Sequence, residues 1–192
     1  MHTTPAQIIL ASQSPRRKAL LEQVGIDFTV HVADVDESVL PNERADLYIE
    51  RVAKQKAQVI ADIYPDSIII AADTTVCLGQ DIFAKPLDFA DACRMWQAMS
   101  DTQHQVKTCI VLQQGDQQYH QIITTQVTFK KLNHHEMQKY WETGEPQDKA
   151  GGYAIQGRAA AWVKHIQGSY SNVVGLPLFE TLQLLEKFQA TS

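Results

Sequence analysis

The run Ser67–Ala72 (SIIIAA) constrains this chain more than any other segment. Six residues with almost no polar alternation cannot form a strand with one face in water. They read instead as a central strand covered on both faces, which requires helices above and below a sheet. The flanking pattern agrees. Ile8–Ala11 is a second short apolar run, and Ser14-Pro15 follows it with the signature of a helix start, Ser as N-cap and Pro at the first helical position. Leu20, Leu21 and Val24 give that helix an apolar face, and Gly25 stops it.

The rest of the chain continues the alternation. Phe28–Val35 reads as a strand ending at Asp36-Glu37, and Ala45–Ile63 as a long helix with Leu47, Val52, Ala53, Val59, Ile60 and Ile63 inward. After Asp73-Thr74-Thr75 come Val76–Leu78, a turn at Gly79-Gln80-Asp81, and Ile82–Ala84. Asp88 and Asp91 open a helix faced by Phe89, Ala92, Met95, Trp96 and Met99. Gln105–Gln113 and Gln118–Leu132 form a long hairpin about Gly115-Asp116, and Asn133 with Glu136 makes a capping box for a helix to Trp141. Ala161–Ile166 is strand-like, Gly168–Asn172 a loop, and an amphipathic helix after Pro177 ends near Phe188. Strands, helices and one antiparallel hairpin predict a mixed α/β sheet. At 192 residues this is one domain, or one domain pinched into two lobes.

Charge and cysteine usage narrow the partners. A net charge of −5 argues against general affinity for nucleic acid or an anionic membrane, so an anionic ligand needs a local basic pocket. Cys77, Cys93 and Cys109 are odd in number and lack metal-type spacing; they read as buried free thiols in a reducing compartment. The start MHTTPAQ has neither a basic patch nor a long apolar core, and no apolar run reaches the ~20 residues that span a bilayer. The expected location is the cytoplasm.

Three segments could carry chemistry. Ser12-Gln13-Ser14-Pro15-Arg16-Arg17-Lys18 puts three cations in a helix's first turn, where the helix dipole disfavours them by ~0.3–1 kcal/mol each. A bound phosphate would resolve that conflict, and so would cations splayed into solvent. Asp73 follows the most apolar strand, where α/β sheets place their sites; it is either a metal ligand or general base, or a turn cap. Lys85-Pro86 offers a further point charge, or an ordinary surface lysine. Lys149–Gly157 (KAGGYAIQG) lets backbone approach a ligand, and Gln156 can give one donor and one acceptor to a base edge, unless the segment is a plain loop. The tandem His134-His135 chelates poorly, since adjacent helical residues do not face each other.

Taken in order, Ile9–Arg17 (ILASQSPRR), Asp36-Glu37, Lys56-Ala57, Ala72-Asp73-Thr74, Lys85-Pro86, Lys149–Gly157 and Gly168–Pro177 (GSYSNVVGLP) resemble the Maf family over almost the whole chain. The resemblance implies a Maf/ITPase-like α/β fold: an elongated, twisted mixed sheet with helices on both sides and a deep central cleft. It implies hydrolysis of a nucleoside triphosphate to monophosphate and pyrophosphate, with a divalent cation (Mg²⁺ or Mn²⁺), usually in a homodimer. Carried over, Ser12, Arg16, Arg17, Lys56 and Lys85 hold phosphates, Asp73 is the proton acceptor, and Glu37 and Asp73 bind metal. Arg16, Thr74 and Gln156 match the dTTP/UTP branch; a sister branch takes 7-methyl-GTP and has tryptophan in place of Arg16. Gln55 departs from the family, which often has an acid there, and that predicts weaker metal binding. The family's link to septum formation leaves a second reading, a nucleotide-responsive regulator of cell division.

Overall fold

The computed structural model describes residues 6–191, the side chains of residues 189–191 excepted. The start of the MHTTPAQ segment lies outside the described residues. In chain order the elements are β1 (Ile8–Leu10), α1 (Pro15–Gln23), β2 (Thr29–Val30), α2 (Ala45–Ile63), β3 (Ile68–Leu78), β4 (Asp81–Phe83) and α3 (Phe89–Met99). Then come β5 (Gln103–Gln114), β6 (Gln117–Phe129), α4 (His134–Trp141), β7 (Val163–Gln167), α5 (Tyr170–Val174) and α6 (Leu178–Thr191). Among the described residues the strands form one seven-stranded mixed sheet in the order β2-β1-β3-β5-β6-β7, with β4 paired to β3. β1 runs parallel to β2 and to β3, whereas β4 and β7 are antiparallel to β3 and β6. The expected mixed α/β architecture is therefore present.

The chain divides into two compact units. The first comprises the chain up to Asp73, Thr108–Ile123 and the chain from Gly175 on; the second comprises Thr74–Lys107 and Thr124–Val174. The first unit buries Ile9, Leu10, Leu21, Ile49, Val52, Ile60, Ile69 and Ile70. The second has an aromatic core in which Trp96, Phe129, Tyr140, Tyr153 and Trp162 pack with Met95, Met99 and Val127. Trp162 meets Tyr140 at 4.7 Å and Trp96 at 5.3 Å between ring centroids.

Several local expectations needed correction. Phe28–Val35 alternates as a strand should, yet only Thr29–Val30 pairs, and both are exposed. A strand on a sheet's edge with no partner beyond it gains little from extending. α2 has the expected bounds, but Leu47, Val59 and Ile63 are exposed; its buried stripe is Tyr48, Ile49, Val52, Ala53, Lys56, Ala57, Ile60 and Ala61. Hydrophobicity alone misplaced the stripe because a tyrosine and a lysine belong to it. β3 runs unbroken through Asp73–Thr75, since Val76–Leu78 pair with β4 on the same strand. The strand expected at Ala161 starts at Val163, after a 3-10 turn at Arg158–Trp162, and a short helix replaces the loop expected from Gly168. The capping box of Asn133 and Glu136 is present as read, and the three cysteines are free and buried. No helix among the described residues is long and apolar enough to cross a membrane.

Candidate active site

The first unit gathers six of the site residues read from the sequence. β1 feeds α1 through Ala11–Ser14, and Ser14 is the N-cap by backbone conformation but forms no side-chain cap hydrogen bond. Ser12 braces the turn that leads into the helix: its Oγ accepts the Ser14 N–H at 3.2 Å and an Arg17 Nη1 hydrogen at 3.2 Å. Arg17 points back from the helix and is buried, and its Nε–H donates to the Gly175 carbonyl at 2.8 Å. Burial draws the Arg17 pKa below its ordinary value; Asp73 and Glu37 pull it up, and Arg16 pushes it down. A guanidinium starts so far above neutrality that it stays charged. A cation fixed in a helix's first turn, beside a serine hydroxyl, is an arrangement that favours an anion.

Asp73 does not sit at the end of its strand, as the sequence suggested. It is an interior residue of β3, but the parallel pairing with β1 ends at Ile70, where the Ala11 N–H donates to the Ile70 carbonyl at 2.8 Å. Beyond that point β1 has turned away into α1. Asp73 therefore lies past the carboxyl end of the parallel pair, which is where α/β sheets open toward ligands.

Lys56 ties the acids together. Its ammonium donates to Asp73 Oδ1 at 2.8 Å and lies 2.7 Å from Glu37 Oε1. The Lys56 and Asp73 side chains are 9% exposed and that of Glu37 is 40% exposed, so the Asp73 pair carries the larger electrostatic weight. Two residues absent from the sequence reading position Glu37. Tyr48 Oη donates to the Glu37 carbonyl at 3.0 Å, and Arg51 donates to the Ser38 carbonyl at 2.9 Å while pairing with Glu43 at 2.7 Å. Burial, then Asp73, then Glu37 raise the Tyr48 pKa, so its phenol remains a donor. The spacing i, i+4, i+8 of Tyr48, Val52 and Lys56 on one helix stripe was the signal that could have flagged Tyr48. Gln55 lies on the exposed side of α2, in a groove of about 510 Å³ lined also by Val35, Leu40, Arg51 and Val59.

Thr74, Lys85 and Gln156 belong to the second unit. Thr74 follows Asp73 in β3. Lys85 and Gln156 are both exposed. The Gly-rich stretch is stitched beside Lys85-Pro86: the Gly151 N–H donates to the Ala84 carbonyl at 3.1 Å, and the Trp96 indole N–H donates to the Gly151 and Gly152 carbonyls at 3.2 and 3.1 Å. Gly151 has φ 68°, and a Cβ there would lie 2.9 Å from Val76, so both conformation and space demand glycine.

Carboxylates and cations thus gather beyond the parallel strands of a mixed α/β sheet, on a fold shared with a known structure. The Staphylococcus aureus Ham1 protein superposes with a TM-score of 0.52, covering 95% of this chain and 99% of that one, at 13% identity. That likeness speaks for the fold alone. Residues 7–188 match the family described as Maf-like protein, and the chain belongs to the Maf family. Relatives named dTTP/UTP pyrophosphatase include one from Pseudoalteromonas atlantica, 49% identical over 94% of this chain and 96% of its own. Others come from Vibrio vulnificus (46% identical, 95% and 98% covered) and Acinetobacter baylyi (45%, 94% and 99%).

Proposed function

We propose that this protein hydrolyses dTTP and UTP between the α and β phosphates, releasing the monophosphate and pyrophosphate. The observation that carries the reading is the Lys56 ammonium shared by Asp73 and Glu37, in the same unit as the Ser12–Arg17 anion site. The relatives' activity and their coverage of nearly the whole chain support it.

In this reading Ser12, Arg16, Arg17 and Lys85 hold the phosphates. An ammonium has three donors and the two carboxylates take two of Lys56's, so the third serves a phosphate oxygen. Asp73 accepts a proton from water as its oxygen bonds to the α-phosphorus, and the electron pair of the breaking bond leaves with pyrophosphate. Two carboxylates meeting one cation are hard oxygen donors of the kind Mg²⁺ or Mn²⁺ takes alongside substrate phosphates, so Asp73 and Glu37 fit a divalent ion. Bound there, the ion supplies charge neutralisation of the triphosphate. Gln156 reads O4 and N3–H of uracil or thymine, with Arg16 and Thr74 as the other specificity residues. We place the protein in the cytoplasm as a homodimer that does not bind nucleic acid, with residues 1–192 acting as a single domain. Its three buried free thiols and its net charge of −5 support the compartment and the lack of nucleic-acid binding.

Asp73→Asn keeps the shape and an acceptor for Lys56 but removes the proton acceptor; turnover should fall by ~10²-fold or more with folding intact. A folded Asp73→Asn enzyme with wild-type kcat would remove Asp73 from the mechanism. Reaction in ¹⁸O-labelled water should place label in the monophosphate. Label found only in orthophosphate would overturn the proposed cleavage.

A further inference from the structure

Tyr140 and Glu145, to which the reaction above gives no part, grip the backbone on both sides of Gln156. The Tyr140 hydroxyl donates to Glu145 Oε1 at 2.6 Å and accepts the Ala154 N–H at 3.0 Å. The Glu145 carboxylate also accepts the Arg158 N–H, at 3.1 Å on Oε1 and 3.3 Å on Oε2. The two anchored amides stand two residues before and two after Gln156. Between them the Gly157 N–H donates to the Ala154 carbonyl at 3.0 Å and closes a turn. Gly157 has an ordinary φ of −104°, yet a Cβ there would lie 2.3 Å from Glu145 Oε1, so the carboxylate is seated against the turn itself. Upstream, the Tyr153 hydroxyl is held 2.8 Å from His104 Nε2 inside the aromatic core.

A carboxylate acceptor makes stronger hydrogen bonds than a neutral one, and this one holds an amide and a phenol at once. A side chain on an exposed turn can select a base only if its backbone is held to within a fraction of an ångström. We infer that Tyr140 and Glu145 are a positioning pair that presents Gln156 to the pyrimidine edge, and that they set base preference rather than phosphate chemistry. This rests on the reading of Gln156 given above.

The test compares Tyr140→Phe, which keeps the ring in the core and removes only the hydroxyl, with Glu145→Ala, Glu145→Gln and Gln156→Ala. Steady-state kinetics on dTTP, UTP and CTP are combined with amide hydrogen exchange of the free enzyme. Tyr140→Phe and Glu145→Ala should raise KM for dTTP and UTP roughly tenfold and erode the preference for UTP over CTP by about the same factor. Their kcat should stay within about twofold, and the Ala154 and Arg158 amides should exchange roughly tenfold faster. Glu145→Gln, which retains an acceptor oxygen, should recover most of the preference. Unchanged exchange, or a fall in kcat with the preference intact, would overturn the pair's role. If Gln156→Ala loses the preference while Tyr140→Phe keeps it, the positioning pair fails and the base reading stands. If Gln156→Ala keeps the preference, both fail together.

Discussion

Replacing Lys56 with methionine tests the electrostatic centre of the site directly. Methionine matches the lysine stem in length and helix preference, so the change removes an ammonium and little else. Asp73 then loses a cation 2.8 Å away while its side chain is 9% exposed, and Glu37 loses the same cation at 2.7 Å while 40% exposed. Removing one partner of a buried pair costs roughly 3–5 kcal/mol when the other charge is left uncompensated; Arg17 still acts on Asp73, so the lower end applies, ~3 kcal/mol, and the half-exposed Glu37 pair adds at most ~1 kcal/mol. For a chain of this size each kcal/mol moves Tm by roughly 2–4 °C, so a loss of ~3–4 kcal/mol should make Lys56→Met melt about 6–16 °C lower near neutral pH. The assay is chemical and thermal unfolding at neutral pH, with Lys56→Met/Asp73→Asn as the second arm. Neutralising Asp73 should restore ~2 kcal/mol or more to the single variant. A Lys56→Met protein within about 1 kcal/mol of wild type at neutral pH, or a double variant no better than the single, would refute a buried charge pair at this position.

Two further outcomes follow from the same physics. His104 is buried, and burial lowers its pKa to about 4 from 6.5. The unfolded chain therefore binds the proton first, and stability should fall by roughly 3 kcal/mol as pH drops from 6.5 to 4. His104→Gln should flatten that part of the unfolding-versus-pH curve by one proton, and an unaltered slope would contradict it. Base choice is the remaining case. Arg16→Trp with Gln156→Glu should weaken dTTP and UTP hydrolysis and improve use of 7-methyl-GTP, since tryptophan stacks on the cationic ring and glutamate accepts from the guanine edge. In kcat/KM measurements on dTTP, UTP, CTP and 7-methyl-GTP, an unmodified enzyme that already prefers 7-methyl-GTP would place the chain in the other branch.

The sequence by itself determined the elements whose stabilising interactions are local. α2 begins and ends where its pattern says, Asn133 and Glu136 cap α4, and Asp88 caps α3, because caps and periodicity act within a few residues. It also determined the chemistry available, since Ser12, Arg17, Lys56 and Asp73 are unusual residues to find near apolar runs. What it could not determine was which of them would be neighbours. Arg17 is anchored by the Gly175 carbonyl, 158 positions away in the chain, and Lys56 is buried on the stripe where the pattern placed Val59 and Ile63. Glu37 reaches Lys56 from a segment read as the end of a strand, held there by Tyr48 and Arg51. Only the tertiary structure decided these pairings. A buried charge is stable only beside its partner, and the partner's position is fixed by the packing of elements distant in sequence.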